Sequence, residues 1–333
     1  MATFETLKLD KGLYTSSMGF NAELERIDPS ENYKGTALEN LDAFSRQLKR
    51  FDIKVHGKDS SSVDKFFQTS DSAVLFPEYV SRAVKQGMDE ANNLSDIVAT
   101  RTNINGLDYR SVYSTATNDD KSLCEVGEGA YIPATEIKTK ENLVKLHKRG
   151  RMLVASYEAI RFQRLDLFTI TLKAIGAYIA HTQIEDAIST LALGDGNNNP
   201  AEIIPTAGDE FSYSDLINLW NALDPYQMNT IITSPDVAAQ ILKFPEMKDA
   251  AAGLNFHATG KLVTPLGAKL IRNKNLDGVV LALDKNYALE MVTAGGIQTD
   301  YDKLIDRQLQ RATISQIAGF AKISPDATKG LEI

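Results

Sequence analysis

Apolar residues recur at helical intervals in several stretches of the chain, and each stretch predicts a helix. Over residues 36–51, Leu38, Leu41, Phe44, Leu48 and Phe51 share one face at three- and four-residue spacing, and Thr36 stands where an N-cap belongs. Over residues 73–100 the stripe is Tyr79, Val80, Val84 and Met88, running on to Ile97 and Val98, with Pro77 placed where a helix begins. The strongest pattern covers residues 164–192. There Phe168, Leu172, Ile175 and Ile179 are continued by Ile184, Ile188 and Leu191, and a helix of that length spans roughly 40 Å. Gly194-Asp195-Gly196 ends it, as glycine does at helix C-termini. Farther on, Ser212 or Ser214 caps a helix carrying Leu216, Leu219, Trp220 and Leu223, and Ser234-Pro235-Asp236 opens another that reaches Leu242.

Between and around these helices the pattern changes. Residues 108–115 read as a strand, residues 117–122 as a polar tip, and residues 135–154 as extended chain mixing Thr, Ile, Val and Leu with Lys and Arg. Two long strands around a polar tip make a hairpin with little core of its own. Such a hairpin is marginal alone in water and has to lie against something else, in this chain or a neighbour. Residues 230–233, 278–283 and 288–292 read as short buried strands, and residues 304–323 as a long half-exposed one. Residues 1–35 are polar without sustained periodicity and read as an extended arm. Residues 55–72 read as loop, anchored by Phe66 and Phe67.

Composition narrows the function. A length of 333 residues corresponds to about two domains, and 43% apolar with 24% charged residues is an ordinary globular mixture. No run approaches ~18 apolar residues, so no membrane helix is expected. The polar start lacks a secretory signal, which places maturation in a cytoplasm. Cys124 is the single cysteine and reads as a small, partly buried apolar residue. The net charge of -8 argues against a sequence-independent nucleic-acid binder, though not against a protein that encloses DNA. Residues 44–58 are the exception, with Arg46, Lys49, Arg50, Lys54 and Lys58 against Asp52 alone. They form either a solvated helix face or a contact for an acidic partner.

Reactive constellations are scarce. His56, His147, His181 and His257 are dispersed. Only His181, with Glu185 and Asp186 at helical spacing, has the makings of a metal or general-base site, and a structural polar contact is the default for it. The run 194–199 is rich in oxygen ligands but lacks the alternating acids and final Glu of a calcium loop. Gly127-Glu128-Gly129-Ala130 is not a phosphate loop, because no Gly-Lys-Ser/Thr follows. No catalytic, metal or cofactor site is therefore expected, and a structural or binding role gains weight.

Four segments in order resemble the major capsid protein family of tailed bacteriophages, which has the Hong Kong 97 phage-type fold. They are the run Ser72-Ala73-Val74-Leu75-Phe76-Pro77-Glu78-Tyr79-Val80; the Glu125-Val126-Gly127-Glu128-Gly129-Ala130-Tyr131-Ile132-Pro133 element; the strand Met152-Leu153-Val154-Ala155-Ser156-Tyr157-Glu158 leading to the long helix and Leu193-Gly194-Asp195-Gly196; and Ser324-Pro325-Asp326-Ala327. The resemblance implies an α+β chain in five parts. Residues 1–70 are an N-terminal arm with a short helix, and residues 107–150 an E-loop hairpin lying across a neighbouring subunit. Residues 71–106 and 151–200 are a peripheral (P) domain with a long spine helix. Residues 201–303 are an axial (A) domain, and residues 304–333 a return strand and C-terminus in the P domain.

It also implies a function. Copies assemble into pentamers and hexamers of an icosahedral shell that encloses packaged double-stranded DNA in the virion, through a procapsid that matures. The implied partners are a scaffolding protein, a portal and a possible decoration protein. Candidate intersubunit contacts are Glu125 and Glu128 on one side and Lys145, Lys148, Arg149 and Arg151 on the other. Two departures carry expectations. No Asn occurs after Asn286, so a Lys–Asn cross-link of the kind some members use late in the P domain is not expected. Only about 70 residues precede the matched body, which points to a separate scaffold. The alternatives are an encapsulin-type nanocompartment, which shares the fold and encloses enzyme cargo, and more remotely a hydrolase built on His181.

Overall fold

The computed structural model describes residues 4–16, 19–91, 94–114, 125–130, 137–208, 210–248, 264 and 266–333. Two short helices open the chain, α1 (Phe20–Ile27) and α2 (Ala43–Arg50). Of the helix expected over 36–51 only α2 forms; Asp42 caps it, accepting from the Ser45 N–H at 3.0 Å. Thr36, expected as the cap, instead donates to the Tyr33 carbonyl at 2.7 Å and closes a turn.

Helix α3 (Ser70–Glu90) starts seven residues before Pro77, because Thr69 and Ser72 form a reciprocal capping box there. Pro77 lies inside the helix, where the sequence placed its beginning. One step further along the ladder, the Tyr14 hydroxyl is inserted between Glu78 and Val74. That hydroxyl donates to the Val74 carbonyl at 2.8 Å and accepts from the Glu78 N–H at 3.0 Å. Helices α4 (Tyr157–Phe162) and α5 (Leu165–Leu193) follow. The long apolar pattern and the glycine stop are met in α5, after which Gly194 takes φ +91°. Helices α6 (Tyr213–Ala222) and α7 (Pro235–Ile241) start at Ser212 and Ser234, the latter with proline in the first turn.

The strands are β1 (Thr100–Ile104), β2 (Val112–Ser114), β3 (Ile137–Thr139), β4 (Leu146–Ser156), β5 (Glu202–Pro205), β6 (Thr230–Thr233), β7 (Lys269–Arg272), β8 (Val279–Leu283), β9 (Leu289–Ala294), β10 (Gln298–Leu304), β11 (Leu309–Lys322) and β12 (Thr328–Glu332). The expected long hairpin is only partly realised. β2 and β3 pair over three residues each, whereas β4 pairs with β11. A β-rich run of this length gains more from a partner that shares a core than from a hairpin without one.

The chain forms two compact units. The first comprises residues 1–92, 149–181 and 296–316. Its core joins α3 and the first half of α5 through Phe66, Phe76, Tyr79 and Phe168, whose rings lie 5.2–6.4 Å apart where they meet. Gly87 and Gly176 let these two helices approach closely: a methyl group on Gly87 would collide with the Lys173 carbonyl, and one on Gly176 with the Val84 carbonyl. Residues 4–27, expected to be extended, contain α1 and bury Leu7, Leu9, Phe20 and Leu24 in this core. The basic run changes meaning as well. Arg46 is fully buried, 3.2 Å from Asp28 Oδ2 and donating to Ser30 Oγ and the Leu41 carbonyl at 2.7 Å each. Arg50 donates to the Leu7 carbonyl at 2.6 Å. Two of the five cations are internal fasteners.

The second unit comprises residues 93–148, 182–295 and 317–333. In a sheet of order β5-β12-β8-β6-β7 the central strands β8 and β6 are buried on both faces. Leu216, Leu219 and Leu223 of α6 and Val237, Ala238 and Ile241 of α7 pack with one set of its side chains (Ile231, Leu270, Val280). Ile184, Ile188 and Leu191 of α5 pack with the other (Ile232, Ile271, Leu281). Double-sided burial explains why residues 230–233 read as uninterrupted β-formers. Beside it, β1 runs parallel to β9, and β9 antiparallel to residues 318–322 of β11.

Candidate functional site

Two clusters of buried charge hold the described segments 107–114 and 137–144, which flank the span expected to form the loop. On the outgoing root the anchor is Glu290, in the buried strand β9. Its Oε1 accepts from the Thr102 hydroxyl at 2.6 Å and the Tyr109 hydroxyl at 2.7 Å, and its Oε2 from the Ser111 hydroxyl at 2.7 Å. Three hydroxyl donors take the place of water around this carboxylate. Burial, with the Glu290 hydrogen bond second, pushes the Tyr109 phenol above its ordinary range.

On the returning root the anchor is the Gly194-Asp195-Gly196 turn. Lys140 Nζ lies 2.7 Å from Asp195 Oδ2 and also donates to the Lys322 carbonyl. The Lys322 N–H donates to the same Asp195 oxygen at 2.9 Å, and Lys322 Nζ to the Asn199 carbonyl at 2.9 Å. Asn142 closes the clamp, its side-chain amide donating to the Gly196 carbonyl at 2.7 Å. Burial pushes the Asp195 carboxyl up, but hydrogen bonds from Lys140 and Asn197 outweigh it and hold the group below the usual carboxylate range. Lys322 is fully buried. Burial lowers its ammonium to about 8, against the partial support of Asp195. The two roots also hold each other, with Lys140 N–H donating to the Ser111 carbonyl at 2.8 Å and Val144 N–H to the Tyr109 carbonyl at 2.9 Å. A groove of about 950 Å³ opens beside them, lined by Val112, Ile137, Tyr226, Tyr287, Asn198 and Pro325 among others.

The expected contact residues are distributed as follows. Glu125 and Glu128 are exposed, leading into a turn in which Ala130 N–H donates to the Gly127 carbonyl and Gly129 takes φ +76°. Lys145 precedes β4, and Lys148, Arg149 and Arg151 lie on it. Lys145, Lys148 and Arg151 are exposed and Arg149 is half-buried. Within one chain the structure brings none of the acids to the bases: no ion pair among the described residues joins the two sets. Cys124, the polar tip at 117–122 and His257 lie outside the described residues. His181 is exposed, and Asp186 lies 3.6 Å from His147 Nδ1. No group of three His, Cys, Asp or Glu that could hold a metal occurs among the described residues, and no described helix is long and apolar enough to cross a membrane.

Local patterns missed the two clamps. Their one signal is a charge inside an apolar strand: Glu290 between Leu289 and Met291, and Lys322 after Phe320 and Ala321.

A family model described as phage capsid protein matches residues 139–327. Among solved structures, the chain is similar to the capsid of a native GTA particle, at 14% identity and a TM-score of 0.53, covering 73% of this chain and 91% of that one. It is also similar to a virus-like particle from Pyrococcus furiosus, at 14% identity and a TM-score of 0.52, covering 77% and 98%. The capsid of an empty GTA particle gives 13% identity and a TM-score of 0.52, over 73% and 90%. Among curated proteins no match is found.

Proposed function

This chain belongs to the phage capsid protein family, and from that membership we propose how it works. It is a major capsid protein of the Hong Kong 97 phage-type α+β fold, and its place is the capsid of the virion, where copies of the chain form the shell. The observation that carries this reading is the family match over residues 139–327 of 333, running from the returning root of the loop through the long helix to the C-terminal strands.

In the proposed mechanism, subunits associate into pentamers and hexamers that close into an icosahedral shell, assembled in the host cytoplasm around a separate scaffolding protein. A portal and, where present, a decoration protein complete the head, and the shell encloses double-stranded DNA without gripping it. Residues 107–150 act as the loop that reaches a neighbour, residues 71–106 and 151–200 as the P domain, residues 201–303 as the A domain, residues 1–70 as the N-terminal region and residues 304–333 as the returning strand. Such closure needs contacts in which different surfaces meet around an axis. Glu125 and Glu128 of one subunit serve as partners for Lys145, Lys148, Arg149 and Arg151 of the next. With no Asn after Asn286, the shell is held without a Lys–Asn bond of the late P-domain kind.

The test is electron microscopy of the protein expressed alone and with its genomic neighbours. Uniform shells of phage-head size are the expected result, with single-chain bands on a denaturing gel of intact particles. Monomers under every condition would overturn the assembly mechanism, and enzyme cargo inside the shells would favour a nanocompartment.

A further inference from the structure

Residues 105–108 join strand β1 to the segment that Glu290 holds. All four are exposed and lie outside any helix or strand. Their two ends are fixed. The Ile104 carbonyl accepts from the Gly295 N–H at 3.3 Å, and the Tyr109 hydroxyl donates to Glu290 at 2.7 Å. Between those points the chain is held by little. Among the described residues, neither the Asn105 side chain nor the Gly106 N–H has a hydrogen-bond partner.

Asn105-Gly106 is also the one Asn-Gly pair in the sequence. A glycine carries no Cβ to keep its nitrogen away from the preceding side-chain carbonyl, and its backbone turns more freely than any other. The surroundings do not hinder it: a Cβ added to Gly106 would meet nothing within 4 Å. Asparagines elsewhere are tied. Asn103 Oδ1 accepts from the Gly295 N–H at 3.2 Å, the Asn142 amide donates to the Gly196 carbonyl at 2.7 Å, and the Asn229 amide donates to Asp284 at 2.8 Å. Each of these three is followed by a residue with a branched side chain, Ile104, Leu143 or Thr230. Asp195, which also precedes a glycine, is locked by Lys140 and by the Lys322 N–H.

We propose that Asn105-Gly106 is a site of spontaneous self-modification, at which Asn105 is converted to isoaspartate and aspartate. The Gly106 nitrogen attacks the Asn105 side-chain carbonyl carbon. A carbon–nitrogen bond forms, the bond to the side-chain amide nitrogen breaks, and that nitrogen leaves as ammonia with the proton from Gly106. Water then opens the cyclic imide at either of its two carbonyls. No oxidant or reductant takes part. Opening one way restores the normal chain as aspartate. Opening the other way gives isoaspartate, which routes the main chain through the side-chain carbons and lengthens the 105–108 connection by one atom. Either product adds one carboxylate, taking the formal net charge from -8 to one unit below it. Ile104 and Tyr109 are anchored from outside the bend, so the change is absorbed there and accumulates in folded protein. Each copy thereby carries a chemical mark of its age. The step needs no partner subunit, so its test is independent of the assembly reading.

Peptide mapping tests it. Purified full-length chain is held in mildly alkaline buffer, sampled over time and digested with trypsin. The Thr102–Arg110 peptide holds both Asn103 and Asn105. Relative to a sample digested at once, residue 105 should gain the mass that exchanging NH2 for OH brings, and residue 103 should not. Isoaspartate should be detected there with protein isoaspartyl methyltransferase, at a rate comparable to that of the excised peptide. Gly106→Ala, which the open space admits, should fold normally and lose most of the product. A folded chain that keeps Asn105 intact while the excised peptide converts overturns the proposal, because the bend then holds the two groups apart. Undiminished conversion in Gly106→Ala overturns it as well, because the Gly106 position then does not govern the attack.

Discussion

Tyr14 stands against Pro77, the proline inside α3. Its hydroxyl accepts the N–H of Glu78, the residue after the proline, at 3.0 Å and donates to the Val74 carbonyl at 2.8 Å. A side chain 64 residues upstream thus bridges the rung of the ladder that follows the proline. Burial, and the nearby Glu78 charge, push the Tyr14 phenol far above its ordinary value, which keeps it protonated and able to donate. Tyr14→Phe keeps the stacked contact with Phe20 and removes the hydroxyl alone. It should cost about 1–3 kcal/mol by leaving the Val74 and Glu78 groups without this partner. Urea unfolding of the unassembled subunit measures this, with Pro77→Ala expected to relieve part of the loss.

Gly176→Ala should be more damaging than an added methyl in a helix normally is. The new Cβ would collide with the Val84 carbonyl of α3, backbone that cannot rotate away. About 1–3 kcal/mol is expected for overpacking of this kind. Gly87→Ala acts at the same crossing and should be less than additive with it, because the first methyl already forces the helices apart. Thermal unfolding of both single variants and the double variant checks this.

Asp195 is the carboxylate between the buried lysines Lys140 and Lys322. Asp195→Ala leaves both ammonium groups buried without it, a loss of about 3–5 kcal/mol. Hydrogen exchange should quicken first at residues 137–142 and 320–323, the segments the clamp holds. Uniform quickening over the whole chain would mean that the turn is no local anchor.

Lys322 sets a pH dependence of stability. Its ammonium titrates at about 8 in the folded chain against an ordinary 10.5. Between those values the unfolded chain binds the extra proton and the folded chain does not. This group's contribution to stability therefore rises with pH from about 8 to 10.5, and below 8 the full cost of a buried charge is present. Lys322→Met should flatten that slope and gain most at neutral pH. Melting temperatures of both proteins from pH 7 to 10.5 give the comparison.

How far the sequence reveals this structure depends on how far apart the interacting residues are. Helix α5 is legible because its apolar stripe and its glycine stop are local, and the starts of α6 and α7 are legible because caps lie beside what they cap. Pro77 misleads because the rung that follows it is bridged by a distant residue, Tyr14. Arg46 misleads because a run of basic residues looks solvated whether or not one of them finds Asp28, eighteen residues away, inside the core. β4 looked like half of a hairpin because extended propensity does not name a partner. The loop clamps are the extreme case: Glu290 meets Tyr109 over 181 residues of chain and Lys322 meets Asp195 over 127.

Those clamps have an entropic consequence. Bringing together two chain positions that span 28 residues, as 112 and 139 do, costs on the order of 3 kcal/mol of chain entropy. Glu290 and Asp195 hold both ends within the single subunit, so that loss is incurred during folding and not when subunits meet. Loosening either clamp transfers it to the association step. A variant such as Asp195→Ala would then assemble poorly with every residue of its contact surfaces unchanged.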